Sequence, residues 1–312
     1  MRQIILGSLM AFLLLAALPQ SPLCAKPATD LPATDLPAQA ALDLAVLRAA
    51  YPGAVQHLQR NPDGQLELVL TSGQRLMYDD GRTEKAAADT GHAKGTHAND
   101  LKANDLHEND VKKDLAAPDL RTMLAQIYPL GPVNEQSAHP AQGFDPGRAR
   151  VQELFTALYG ATEAQVRKHC TPVTFDGHTL PFNARFGAAQ ALTRVWQRIA
   201  ALLPQHPEFL PVLRPLGETL VWRVIAGTNR LSMHSFGIAL DVNPDLPYWR
   251  WEKHPETMPD QCKAFPPEIL DAFETEGFIW GGKWASFDLM HFEYRPELIL
   301  KARALAGQVT LP

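Results

Sequence analysis

The chain has 312 residues, with 29 Lys and Arg against 34 Asp and Glu for a net charge of −5, and 46% of its residues are hydrophobic. That length suits one large domain or two modest ones with a real core. The weak acidity supplies no basic face for nucleic acid, and the composition excludes collagenous and coiled-coil classes.

Residues 1–25 read as an export signal. Arg2 gives the positive start, and Ile4–Leu18 give an apolar run that stops short of the roughly 20 residues needed to span a bilayer. Cleavage after Ala25 would send the chain to the periplasm or the outside, with no membrane span left after signal removal. Cys24 opens a lipoprotein reading, against which Leu23 stands where a small residue is usual. Beyond the signal, Cys170 and Cys262 are the remaining cysteines. In an oxidising compartment they invite a disulfide, with two buried free thiols as the other reading.

Residues 26–40, with the repeat ATDLP-ATDLP, read as a tether. Residues 41–80 read as a small α+β unit. Ala41–Ala50 has helical periodicity, and Ala54–Leu58, Leu66–Thr71 and Arg75–Tyr78 are strand-like, separated by Asn-Pro-Asp-Gly and Ser-Gly turns. Residues 81–119, with ANDLK, ANDLH and ENDVK, read as a disordered linker, and His92, His97 and His107 as solvated linker histidines. All six tryptophans and twelve of the thirteen phenylalanines follow residue 140. Large aromatics dominate core burial, so the main folded body is expected over 120–312.

In that body Asp145-Pro-Gly-Arg148 marks a turn into a helix over Val151–Tyr159. A second helix is expected over Ala188–Leu203, with Leu192, Val195, Trp196 and Ile199 on one face and Pro204 as its stop. A third, Pro267–Glu276, starts with Pro and ends at Gly277. Leu220–Ile225, Gly237–Val242 and Leu289–Tyr294 are strand-like. Helices mixed with few, non-alternating strands indicate an α+β fold.

Two stretches carry the chemistry. In Ser232-Met-His-Ser-Phe-Gly-Ile-Ala-Leu-Asp241, alternation puts Ile238, Leu240 and Val242 on the core face. Gly237, Ala239 and Asp241 then share a face stripped to small residues up to a carboxylate, and His234 precedes the glycine that can bend the chain back to it. In Gly281-Gly-Lys-Trp-Ala-Ser-Phe-Asp-Leu-Met-His-Phe-Glu293, His291 and Glu293 alternate with Met290 and Phe292, and Asp288 lies on the incoming turn. His234, Asp241 and His291 offer two nitrogens and an oxygen, a set that suits one zinc ion with an open position for water. Asp288 is the candidate base. The alternative has Asp288 orienting His291 and Glu293 as base, and hydrogen-bonded core histidines would explain the same spacing without a metal.

The first stretch closely resembles the S-x-H-x-x-G-x-A-x-D signature of VanY-like D-alanyl-D-alanine carboxypeptidases and their relatives, the L-alanyl-D-glutamate endopeptidases. The second resembles that family's other metal box, in the family's order and about fifty residues on. The resemblance covers roughly Asn183–Leu298. It implies one Zn2+ held by His234, Asp241 and His291, Asp288 as catalytic acid/base, and a peptidoglycan stem peptide as substrate. It also implies a small antiparallel sheet with flanking helices, a fold shared with the hedgehog signalling domain. The family's arginine upstream of the first box is assigned to Arg223, with Arg185 and Arg230 as alternatives. Ser232 and Trp284 are candidate substrate-binding residues, Trp284 as a rim residue, and Arg223, Arg230 and Lys283 are candidate cations for a substrate carboxylate. His206, His254 and the His169-Cys170 pair match neither box. A second class of function is a non-catalytic, metal-bearing cell-wall binding or scaffolding protein of the same fold; the presence of Asp288 favours the enzyme. Gly281-Gly282 lacks the lysine spacing of a phosphate loop, and no G-x-S-x-G nucleophile elbow occurs.

Overall fold

The computed structural model describes residues 29–30, 36–81 and 117–312. The signal read over 1–25, Cys24, most of the tether and most of the linker read over 81–119, with its three histidines, lie outside the described residues.

The N-terminal unit follows its apolar pattern. Helix α1 (Ala38–Ala50) buries Leu44, Val46 and Leu47, and packs beside a four-stranded antiparallel sheet of β1 (Thr29–Asp30), β2 (Val55–Arg60), β3 (Leu66–Leu70) and β4 (Arg75–Asp79). Gly64 and Gly73, both at positive φ, sit in the turns that join β2 to β3 and β3 to β4. This unit does not stand apart. Its apolar side chains belong to one continuous core with those of the C-terminal body.

That body opens with the short helices α2 (Leu120–Ala125) and α3 (Glu135–Ala138), followed by α4 (Gln152–Tyr159) and α5 (Glu163–His169). A hairpin of β5 (Cys170–Phe175) and β6 (His178–Asn183) comes next, which the sequence reading had not called. Helix α6 (Ala188–Leu202) buries Leu192, Val195 and Ile199 and packs on β5, with the short α7 (Phe209–Leu213) after it. Residues 220–225 do not form the expected strand. They run irregularly, with one bridge between Val224 and Leu231.

The small sheet has the order β7-β9-β8, all antiparallel, made of β7 (Ala239–Asp241), β8 (Phe278–Trp280) and the central β9 (His291–Tyr294). Helix α8 (Met258–Ala264) and helix α9 (Pro267–Thr275) precede β8, and α10 (Pro296–Leu305) follows β9. Phe292 of β9 stacks on Phe273 of α9 at 3.8 Å between centroids, and Trp280, Phe265 and Phe278 close the same aromatic layer. One face of the sheet is thus committed to core. The other is free to carry polar groups.

Candidate metal centre

Strand register assembles the site. Asp241 pairs directly with His291, and Ala239 with Glu293, so all four side chains stand on the polar face of the sheet. Leu240 and Phe292 pair on the core face. The small Ala239 leaves room beside it for the Glu293 carboxylate. His234 enters from a 3-10 turn, Met233–Phe236, closed by Gly237 in the left-handed region at φ 65°. A Cβ at Gly237 would also meet Cys170 Sγ at 3.1 Å, so the position favours glycine twice over.

The donor atoms converge. His234 Nε2 lies 3.2 Å from Asp241 Oδ1 and 3.3 Å from His291 Nδ1, and His291 Nδ1 lies 2.9 Å from Asp241 Oδ1. An ion about 2.0–2.1 Å from each donor in tetrahedral geometry would set its ligands about 3.3 Å apart. The three groups therefore fit a divalent metal. Among the described residues a second acidic group, Asp79, Asp80 and Asp119, is close enough together to be compared with it, but it contains no nitrogen donor.

The electrostatics agree with the geometry. Burial works against a charged His291 ring, yet hydrogen bonds to Asp241 and Glu293 outweigh it and push the ring up to about 10. Burial likewise works against the Asp241 carboxylate, and the two histidines overcome it, holding the group well below the usual carboxylate range. The carboxylates thus draw positive charge to this point, whether a proton on His291 or a metal ion in its place.

Glu293 is the partner of the other nitrogen of His291. Its Oε2 lies 3.2 Å from Nε2, and its Oε1 accepts from Arg295 Nη1 at 2.9 Å. A carboxylate behind a ligating imidazole fixes the ring and its tautomer. Of Asp288 and Glu293, Glu293 is the one hydrogen-bonded to the His291 ring, and it is buried among cations.

Asp288 sits on the turn before β9, bridged to Tyr248 and held by its backbone N–H to Gly281 O at 3.0 Å. Burial raises its carboxyl to about 6, with His291 and Arg148 pulling down and Asp241 and Glu293 pushing up. A carboxyl poised there can accept and return a proton near neutral pH. Its Oδ1 is buried without a hydrogen-bond partner, and Arg148 Nη2 lies 3.8 Å from Oδ2.

Arg148 went unsingled in the sequence, although it closes the Asp-Pro-Gly-Arg turn. Its guanidinium stacks within 5.7–6.0 Å of the Tyr248, Trp249 and Trp284 rings. The signal lay in Gly147, where a Cβ would strike the Trp284 ring at 2.1 Å, so only glycine lets the turn reach the site. Arg223, by contrast, is exposed, and only its backbone is tied in, to Ser232 and Ser235. Arg230 donates to Arg148 O, and Arg185 lies over Phe186. Ser232 is buried at the entry to the His234 turn.

Three expectations are corrected. Trp284 is not a rim residue: it is 3% exposed and stands edge-on to His291 at 5.8 Å. Lys283 is no free cation, since its Nζ is buried and donates to Pro129 O, Gly131 O and Glu274 Oε1. Cys170 and Cys262 form no disulfide; Cys170 Sγ donates to Val166 O, and Cys262 is buried in α8 as a free thiol.

An α+β domain that sets two histidines and an aspartate around one point, beside a carboxyl poised near neutrality, has the makings of a metal-dependent hydrolase. Residues 226–294 match the family model described as D-alanyl-D-alanine carboxypeptidase. The match spans both boxes and bears out the resemblance read from them. No curated protein and no solved structure matches the chain. Among the described residues no helix is long and apolar enough to cross a membrane.

Proposed function

We propose that the protein is an exported zinc peptidase that hydrolyses an amide bond in peptidoglycan stem peptides, of the D-Ala-D-Ala carboxypeptidase or the L-Ala-D-Glu endopeptidase type. The convergence of His234, Asp241 and His291, with Glu293 behind His291, carries this reading. These three would hold the ion, which when bound supplies a Lewis acid and an acidified water.

The chain's own residues do the rest. Asp288, as carboxylate, takes a proton from the attacking water and returns it to the leaving amine. Arg148 assumes the role expected of Arg223: within reach of Asp288 and walled by aromatic rings, it orients the substrate carbonyl or a substrate carboxylate. Glu293 and Trp284 keep the His291 ring fixed. The export pattern over 1–25 supports delivery toward the cell wall, where such a substrate lies.

Digestion of purified sacculi, read by mass spectrometry, tests the proposal. Products that appear with zinc and vanish with a chelator are expected, and their masses identify the bond. An absence of chelator-sensitive products across several metals and pH values would favour the non-catalytic binding protein instead.

A further inference from the structure

The hydrogen bonds behind His291 continue beyond Glu293. Arg295 joins Glu293 through Nη1 and Glu297 through Nε, and Glu297 Oε2 accepts from the hydroxyl of Tyr51 at 2.6 Å. Tyr51, Arg295 and Glu297 are each 0% exposed, and Glu293 is 1%. Tyr51 caps the C-terminus of α1 in the N-terminal unit, 246 residues before Glu297 in the text, and its ring stands edge-on to Phe186 at 5.3 Å.

We propose that Tyr51 is a positioning residue of the metal centre, acting through Glu297, Arg295 and Glu293, so that residues 36–80 form part of the catalytic unit. The inference rests on the metal-peptidase reading above. Arg295 serves two carboxylates at once. While the Tyr51 hydroxyl satisfies Glu297, Arg295 keeps a donor for Glu293, and Glu293 keeps His291 turned so that Nδ1 faces Asp241 and His234. Without that hydroxyl, Glu297 draws Arg295 toward itself, and the Glu293 carboxylate loosens. In a buried chain of this kind each bond polarises the next, so a change at one end is felt at the other.

A second tie joins the same two parts without reaching His291. Lys301 Nζ lies 2.6 Å from Asp43 Oδ1, and the Tyr78 hydroxyl donates to Asp43 Oδ2 at 2.9 Å. It supplies the control. Tyr51→Phe removes the buried hydroxyl that meets Glu297 of α10, Tyr78→Phe removes the one that holds Asp43, the partner of Lys301 of α10, and both should lower the melting temperature.

Zinc affinity, measured on the full chain by competition with a chromophoric chelator, separates them. Loss of a direct outer partner of a ligand costs about 10–100-fold in metal affinity. Glu293→Gln should fall in that range. Tyr51→Phe, three bonds further out, should weaken binding by about 3–10-fold, less than that range, and Tyr78→Phe should leave it unchanged. If Tyr51→Phe fails to fold, Glu297→Gln, which keeps the shape and loses the charge, must show the same weakening. A Tyr51→Phe protein that binds zinc as the parent does, or one shifted equally with Tyr78→Phe, overturns the proposal. A parent chain that takes up no metal defeats the metal-peptidase reading itself, and the positioning role with it, before any variant is compared.

Discussion

At the residue scale, separate measurements test the roles proposed for Asp288 and Arg148. Asp288→Asn keeps size and removes the proton acceptor, so turnover should fall by about 10^2–10^4 while one zinc per chain is retained. Steady-state rates with metal analysis on the same sample check both halves; a fully active variant would return the role of base to another group. The raised carboxyl also sets a pH limb. Below about 6 Asp288 is protonated and cannot take a proton, so kcat/KM should rise with pH through that value. A flat profile between pH 4.5 and 7.5 contradicts the assignment. Arg148→Ala, measured beside Arg223→Ala on the same substrate, should show the larger loss in kcat/KM, because the Arg148 guanidinium is the one that reaches Asp288.

The candidate ligands are brought together by short elements. Alternation in the two boxes correctly put Asp241, His291 and Glu293 on faces opposite the core, but the pairing of Asp241 with His291 is a matter of register that only the assembled sheet displays. Helices with clear periodicity and marked ends were legible: α6 and α9 end within a residue of the boundaries read from Pro204 and Gly277. The β5–β6 hairpin was missed although its signal is local. Asp176 and Gly177 both take positive φ, the Asp-Gly turn that joins strands of right-handed twist. Residues 220–225 failed in the other direction: they run beside 230–234, with backbone hydrogen bonds from Val221 to His234, Ser232 to Arg223 and Ile225 to Arg230, but a single bridge between Val224 and Leu231 does not make a ladder. At this scale Gly281 is decisive. A Cβ there would lie 2.4 Å from Asp288 O, so Gly281→Ala should displace the turn that carries Asp288. The expected outcome is lost turnover with zinc binding kept; unchanged kinetics would show the turn can move without consequence.

The whole molecule depends on long-range polar ties that no sequence pattern announces. Tyr51 to Glu297, Asp43 to Lys301 and Lys283 to the carbonyls of Pro129 and Gly131 join segments far apart in the chain, and such pairs have no period. The aromatic count located the main body, but it gave no hint that residues 36–80 would share its core. Lys283 shows the cost of such a tie. Its pair with Glu274 is wholly buried, so Lys283→Ala leaves a carboxylate uncompensated and should destabilise the fold by about 3–5 kcal/mol. Denaturant unfolding checks this, and a change under about 1 kcal/mol would mean that water reaches the abandoned carboxylate.

All of this turns on whether His234, Asp241 and His291 share an ion. Elemental analysis of the purified chain after zinc loading and dialysis tests that most directly, with His234→Ala and His291→Ala treated in parallel. The account predicts one zinc per parent chain and none in either variant. A metal-free parent, or variants that retain a full equivalent, would contradict it.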